Sequence, residues 1–89
     1  MNQAQRKVLA NLSKKINDLA SELENLMSEV ESIKDEEQNK FDNMPEGLQS
    51  SDKGSDMEAG IDTLDTAMSS LNDAVTAAQE AAGELDNLL

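Results

Sequence analysis

The stretch LANLSKKINDLASELENLMSEVESI, residues 9–33, carries hydrophobic side chains at alternating spacings of three and four residues. This alternation is the heptad pattern by which one α-helix buries a stripe of side chains against another. It predicts a long helix that needs a helical neighbour. The positions of the stripe are Leu9, Leu12, Ile16, Leu19, Leu23, Leu26, Val30 and Ile33.

A second stretch repeats the pattern in the other half of the chain, and a region without it lies between the two. Pro45 disfavours a helical conformation at Met44, and Gly47 and Gly54 lie in the same interruption. We therefore expect one domain with a helix over about 2–41, a turn over 42–54 and a helix over about 55–88. The second stripe is Met57, Ile61, Leu64, Met68, Leu71, Val75, Ala78, Ala82, Leu85 and Leu89.

Two sequence signals mark where the helices begin. Asn2 and Gln5 have the spacing of a weak capping box, and Ser55 and Glu58 have that of a strong one. The second helix is accordingly predicted to begin at Ser55.

The fold class that follows is all-α, an antiparallel two-helix coiled-coil hairpin. One register brings the apolar positions into successive layers, with Leu9 beside Leu85, Leu23 beside Leu71 and Ile33 beside Ile61. A slip by one heptad preserves the alternation with different partners. The same register sets the basic start of the first helix beside the acidic end of the second.

A single hairpin of 89 residues has little core, and both helices have apolar flanks beside their stripes. Such flanks favour a dimeric four-helix bundle or a larger homo-oligomer. The alternative is that the alanines merely favour helix formation. The predicted oligomer interface consists of Ala20, Met27, Ala67, Ala74 and Ala81.

Composition argues against an enzyme and predicts no cofactor and no metal site. The chain has no Cys, His, Tyr or Trp, which removes the usual metal ligands and the commonest general base. Its glycines do not match a phosphate-binding loop. A calcium loop beginning at Asp52 lacks its central glycine and its final acid, because Met57 and Thr63 stand there. No apolar run resembles a signal peptide or a membrane span, so we expect a soluble cytoplasmic protein.

Charge is distributed unevenly. Seven basic and 19 acidic residues give a net charge of −12, and Lys53 is the one basic residue after position 40. The acidic surface is able to imitate nucleic-acid phosphates on a basic protein, although solubility explains acids equally well. The turn adds apolar side chains, which either cap the end of the bundle or form a recognition tip. The predicted partner-binding residues are Phe41, Asp42, Met44, Pro45, Leu48, Gln49, Asp56 and Glu58.

A basic cluster, Arg6, Lys7, Lys14 and Lys15, precedes any acid in the chain. By default it neutralises the acidic end of the second helix. In an oligomer, several such clusters could instead converge on a small anion.

The run DEEQ at 35–38, the turn FDNMPEGLQ at 41–49 and Lys53-Gly54 before an acidic helix resemble short acidic proteins encoded by bacteriophages and prophages. The resemblance covers about residues 29–75. It implies a viral setting, a helical hairpin and the cytoplasm of the infected host, and it transfers no catalytic residue. Small oligomeric phage proteins often act against host defences, by blocking a host protein or by sequestering a nucleotide signal.

The sequence thus predicts a non-enzymatic, homo-oligomeric protein that binds and inhibits a host factor through its acidic surface and its turn. We expect no direct nucleic-acid and no membrane partner. Three alternatives stay open: a DNA mimic that inhibits a basic nucleic-acid-binding protein, a sponge for a nucleotide signal, and a purely structural bundle.

Overall fold

A computed structural model describes all residues, 1–89, and shows an all-helical hairpin. Helix α1 covers Gln3–Asp42, the short helix α2 covers Glu46–Gln49, and helix α3 covers Asp52–Asp86. The two long helices pack against each other, and α2 packs on the beginning of α3. The predicted fold class is confirmed to this extent.

The start of α1 follows its sequence signal, whereas the start of α3 does not. The Asn2 side chain accepts a hydrogen bond from the backbone N–H of Gln5, and the Gln5 side chain accepts one from Asn2 in return. For α3 the expected cap at Ser55 is wrong, because Ser51 is the N-cap. Its hydroxyl donates to the carbonyl oxygen of Leu48 and accepts from the backbone N–H of Gly54. The short helix α2 therefore places Ser51, rather than Ser55, at the N-terminus of α3.

Helix α3 buries the face that its stripe predicts. Ile61, Val75 and Ala82 are buried, and the remaining stripe positions from Met57 to Leu85 are partly buried. Because these positions recur every three or four residues, they form one continuous side of the helix toward α1.

Helix α1 is rotated relative to the prediction. Leu9, Ile16, Leu23 and Val30 face α3, but the alternate positions Leu12, Leu19, Leu26 and Ile33 are 43–57% exposed. Their place is taken by the column one residue further on. That column comprises Ser13, Ala20, Met27 and Lys34, of which Ser13 and Ala20 are buried and the other two partly buried.

This rotation corrects two predictions, the stripe of α1 and part of the oligomer interface. Ala20 is 1% exposed and lies in the contact between the two helices, as Met27 partly does, so neither forms an outer flank. The physical reason is that the apolar arc of α1 is three columns wide, and one neighbouring helix covers only two. Small side chains at Ala20 and Ala82, each 1% exposed, accommodate the close approach of α3.

Polar contacts between α1 and α3 indicate how the two helices are aligned. Ser13 Oγ donates to the Asp86 carboxylate at 2.6 Å and lies 3.2 Å from the carbonyl oxygen of Ala82. Lys34 Nζ donates to the Asp65 carboxylate at 2.8 Å. The predicted layers set Ser13 level with Ala81 and Lys34 level with Gly60. The carbonyl of Ala82 is one residue beyond the predicted Ala81, and the carboxylates of Asp86 and Asp65 belong to residues five positions further along α3 than the predicted layers.

The hairpin is a rod whose Cα atoms extend over 68 × 14 × 13 Å, with a radius of gyration of 20.0 Å. A compact chain of this length would have a radius of gyration of about 12 Å. Only six residues are buried, so most side chains of both helices face outward. No helix carries a stretch long and apolar enough to cross a membrane.

Candidate interaction surfaces

The turn between the long helices is built around one side chain. Gln49 Nε2 donates to the carbonyl oxygen of Phe41 at 2.9 Å and to that of Met44 at 3.1 Å. The Phe41 carbonyl lies in the last turn of α1 and also accepts from the backbone N–H of Met44, whereas the Met44 carbonyl lies just beyond the helix. Gln49 therefore fixes α2 against the end of α1.

Gly54 sets how closely α2 approaches α3. It is buried, and a Cβ atom built on it would overlap the carbonyl oxygen of Gln49 and lie 2.7 Å from that of Leu48. Only glycine permits this approach, because every other residue carries a Cβ. The turn is thus held from both sides.

The apolar side chains of the turn divide between the two expected roles. Phe41 and Met44 are partly buried, which matches a cap on the end of the hairpin. Leu48 is 51% exposed and projects from α2. The turn therefore presents one large apolar side chain to solvent.

The turn region also carries exposed acidic side chains, and we call these together with Leu48 the turn-end surface. It comprises Leu48 and the exposed acids Asp42, Glu46, Asp52, Asp56 and Glu58. A shallow groove beside α2 brings together Phe41, Glu46, Gln49 and Glu58. Asp56 lies on a different groove, together with Ile33 and Glu37. The predicted partner-binding residues thus share one end of the rod without forming a single pocket.

The basic cluster is spread around α1. Arg6, Lys7, Lys14 and Lys15 are all exposed, and none of them makes an ion pair. No ion pair joins the cluster to the acidic end of α3, and Lys34 with Asp65 is the one ion pair of the chain. Lys7 and Lys14 lie on one line of the helix, whereas Lys15 lies about 100° away from Lys14. Convergence of these groups on an anion stays a prediction.

The electrostatics of the hairpin are those of a solvated surface. The hydrogen bond that Lys34 donates to Asp65 raises the pKa of Lys34 above its ordinary value of 10.5, and the nearby charges of Asp35 and Glu31 act in the same direction. No three acidic side chains approach closely enough to hold a metal ion together.

The sequence prediction missed one surface, a row of exposed apolar side chains along α1. We call Leu12, Leu19, Leu26 and Ile33 the leucine stripe. The sequence pattern favoured the leucine stripe as the contact face because the column that actually faces α3 contains the polar residues Ser13 and Lys34. Exposed apolar rows of this length mark interaction surfaces.

Similarity to known proteins gives no further guidance, since no family model matches the chain and no curated protein or solved structure shows significant similarity to it.

Proposed function

We propose that this protein acts by binding, without catalysis, and that its turn-end surface engages a basic surface on another protein. The observation that carries the proposal is the exposed Leu48 on a fixed turn that also carries five exposed acids. A large apolar side chain accompanied by charged ones has the composition of a binding hot spot with a polar rim.

Charge supports the association step. Residues 41–58 contain Lys53 against five acids, so the field around the turn is negative. Such a field steers a basic partner toward the tip and raises the association rate at low salt. The resemblance to phage-encoded acidic proteins suggests a bacterial host protein as this partner, which binding would inhibit. A nucleic-acid-binding protein is one suitable class.

Order in the turn supports affinity. The two hydrogen bonds of Gln49 and the close packing at Gly54 hold Leu48 in place before any partner arrives. A surface that is already ordered loses less conformational entropy on binding than a mobile loop.

Quantitative capture from bacterial lysate tests the proposal. We expect Leu48→Ala to reduce retention of the captured protein at least about tenfold, the order expected for a hot-spot residue. Leu88→Ala, which changes an exposed leucine at the opposite end, serves as the matched control and retains binding.

A second pair of variants separates charge from the apolar anchor. Charge reversal at Glu46 and Glu58 should abolish capture, whereas Asp73→Lys in the middle of α3 should not. If capture depends on salt and on these acids but not on Leu48, the protein is a DNA mimic, and the anchor proposal is refuted. Capture that is unaffected by every turn-end variant refutes both the anchor proposal and the DNA-mimic alternative.

We also propose that the protein functions as a homo-oligomer. Its accessible surface of 6300 Å² exceeds the roughly 5,100 Å² expected for a compact monomer of 9.6 kDa. The leucine stripe contributes to this excess. Association of two hairpins into a four-helix bundle would cover it.

A further inference from the structure

The two long edges of the hairpin differ in chemistry. Along one edge, polar side chains join α1 to α3, and we call it the polar edge. Ser13 bonds to Asp86, and Lys34 bonds to Asp65. Gln79 Nε2 also approaches the Glu24 carboxylate at 3.5 Å on this edge. No apolar partner is needed here.

The opposite edge carries the leucine stripe on α1 and small side chains on α3. Gly60, Ala67, Ala74 and Ala81 recur every seven residues and are all exposed. The neighbouring column, Thr63, Ser70 and Ala77, is also exposed and uncharged. We call these two columns the small-residue strip. In a helix otherwise rich in acids, an exposed strip without charge is typical of a surface that packs against another protein chain.

One groove shows which residues of the leucine stripe and the small-residue strip lie at the same position along the rod. Ile33 lines it together with Gly60, Thr63 and Leu64. Both helices repeat every seven residues, and they run antiparallel. Leu26 is therefore level with Ala67 and Ser70, and Leu19 is level with Ala74 and Ala77.

We propose that the occupant of this edge is a second copy of the chain, bound so that the leucine stripe of each copy lies on the small-residue strip of the other. The two-fold axis then runs parallel to the long axis of the rod. Each α1 lies antiparallel to α3 of the partner subunit. This inference rests on the homo-oligomeric part of the proposed function and adds the interface.

Side-chain size favours this arrangement. Leucine over alanine gives both pairs of facing helices the same separation, so the two hairpins lie flat on each other within the usual 8–10 Å. A two-fold axis across the rod would instead set leucine against leucine and alanine against alanine. The leucines would then hold the alanines out of contact and leave voids, which protein interiors rarely contain.

Charge beside the stripe favours the same arrangement. Glu22 and Glu29 then face the small hydroxyl residues Ser70 and Thr63 of the partner subunit, and Lys15 lies near Glu84 of the partner subunit. The Thr63 hydroxyl already donates to the carbonyl oxygen of Ala59, so it needs no other partner. With the axis across the rod, Glu22 would meet its own copy.

The area is sufficient for a stable dimer. The leucine stripe from Leu12 to Ile33 spans roughly 32 Å along the helix. With a face about 20 Å wide including side chains, association buries roughly 1,200 Å² in total, the lower bound for specific interfaces. This figure is close to the excess of surface over a compact monomer.

Disulfide crosslinking between separately purified variants tests the arrangement, and the absence of native cysteine makes it clean. We expect a mixture of Leu19→Cys and Ala74→Cys to form a covalent dimer of the two variants on mild oxidation. The matched control, Leu19→Cys mixed with Asn72→Cys on the polar edge, should form none. Light scattering on the unmodified protein should give twice 9.6 kDa.

Two results would overturn the inference in different ways. Crosslinking of Leu19→Cys to Leu26→Cys, without any to Ala74→Cys, would show a dimer with the axis across the rod. A monomeric mass at every concentration would remove the oligomer altogether. Leu19→Ala combined with Leu26→Ala should yield a monomer of unchanged helical circular dichroism, since both side chains are at least half exposed within one copy. That variant should still bind its protein partner at the turn end.

Discussion

At the scale of single residues, Gly54 is the position that tolerates change least. Gly54→Ala places a methyl group onto the carbonyl oxygen of Gln49, so α2 must move away from α3. Such overpacking costs about 1–3 kcal/mol, against a gain of up to about 1 kcal/mol from the helix propensity of alanine. Urea unfolding should show a net loss of stability.

Gly83→Ala is the control for this substitution. Nothing lies within 4 Å of a Cβ built on Gly83. We expect this variant to gain about 0.5–1 kcal/mol, because glycine inside a helix costs that much relative to alanine. Equal effects at the two glycines would contradict the packing assigned to Gly54.

Ser13 is the one buried polar side chain, and its bond to Asp86 is short, at 2.6 Å. A hydrogen bond to a charged acceptor contributes about 1.5–3 kcal/mol. We therefore expect Ser13→Ala to be less stable by about that amount than Ser21→Ala, which changes helix propensity equally at an exposed position. Identical midpoints of thermal unfolding for the two variants would show that the bond contributes nothing.

At the scale of elements, Gln49 joins α2 to α1. Gln49→Glu replaces a donor by a carboxylate that faces two carbonyl oxygens, so both hydrogen bonds are lost and repulsion takes their place. We expect faster hydrogen exchange and faster proteolysis confined to residues 42–54. Gln3→Glu, at the other end of the rod, should leave hydrogen exchange in the turn unchanged. Equal exchange rates in the turn of the two variants would argue against the role of Gln49 in joining α2 to α1.

The ion pair of Lys34 and Asp65 joins α1 to α3 on the polar edge. Because the folded-state pKa of Lys34 is raised, the pair stabilises the protein below the ordinary pKa of 10.5 and is lost as pH rises through the raised value. The stability difference between the protein and Lys34→Gln should be constant from about pH 7 to 9 and shrink above about pH 10.5. Lys40→Gln should show no such dependence.

At the scale of the whole molecule, the proposed association would couple stability to protein concentration. If two copies bury the leucine stripes, the midpoint of thermal unfolding rises with protein concentration by mass action. Added salt should raise it further, because each copy carries a net charge of −12 and the two acidic turns lie at the same end of the dimer. A midpoint that is independent of concentration would indicate a stable monomer.

The turn-end surface and the dimer edge meet at the groove that Asp56 shares with Ile33 and Gly60. Leu48 lies at the tip and the leucine stripe runs along the side, so we expect variants of these leucines to separate partner binding from self-association. Dimerisation about the long axis would also present two copies of Leu48 at one end. Two linked sites bind a suitable partner more tightly than either site alone.

The amino-acid sequence by itself determined two long helices, the break at Pro45, the cap at Asn2 and the buried face of α3, because these depend on spacing and backbone chemistry within one segment. It also placed the candidate turn residues at one end of the hairpin. Only the tertiary structure decided which columns of α1 meet α3. The apolar arc of α1 is wider than one neighbouring helix covers. The column of Leu12 and the column of Ser13 both recur every seven residues, so residue spacing does not tell which of them faces α3. Close approach at Ala20, the bond of Ser13 to Asp86 and the pair of Lys34 with Asp65 select the second column, and they leave the leucines outside.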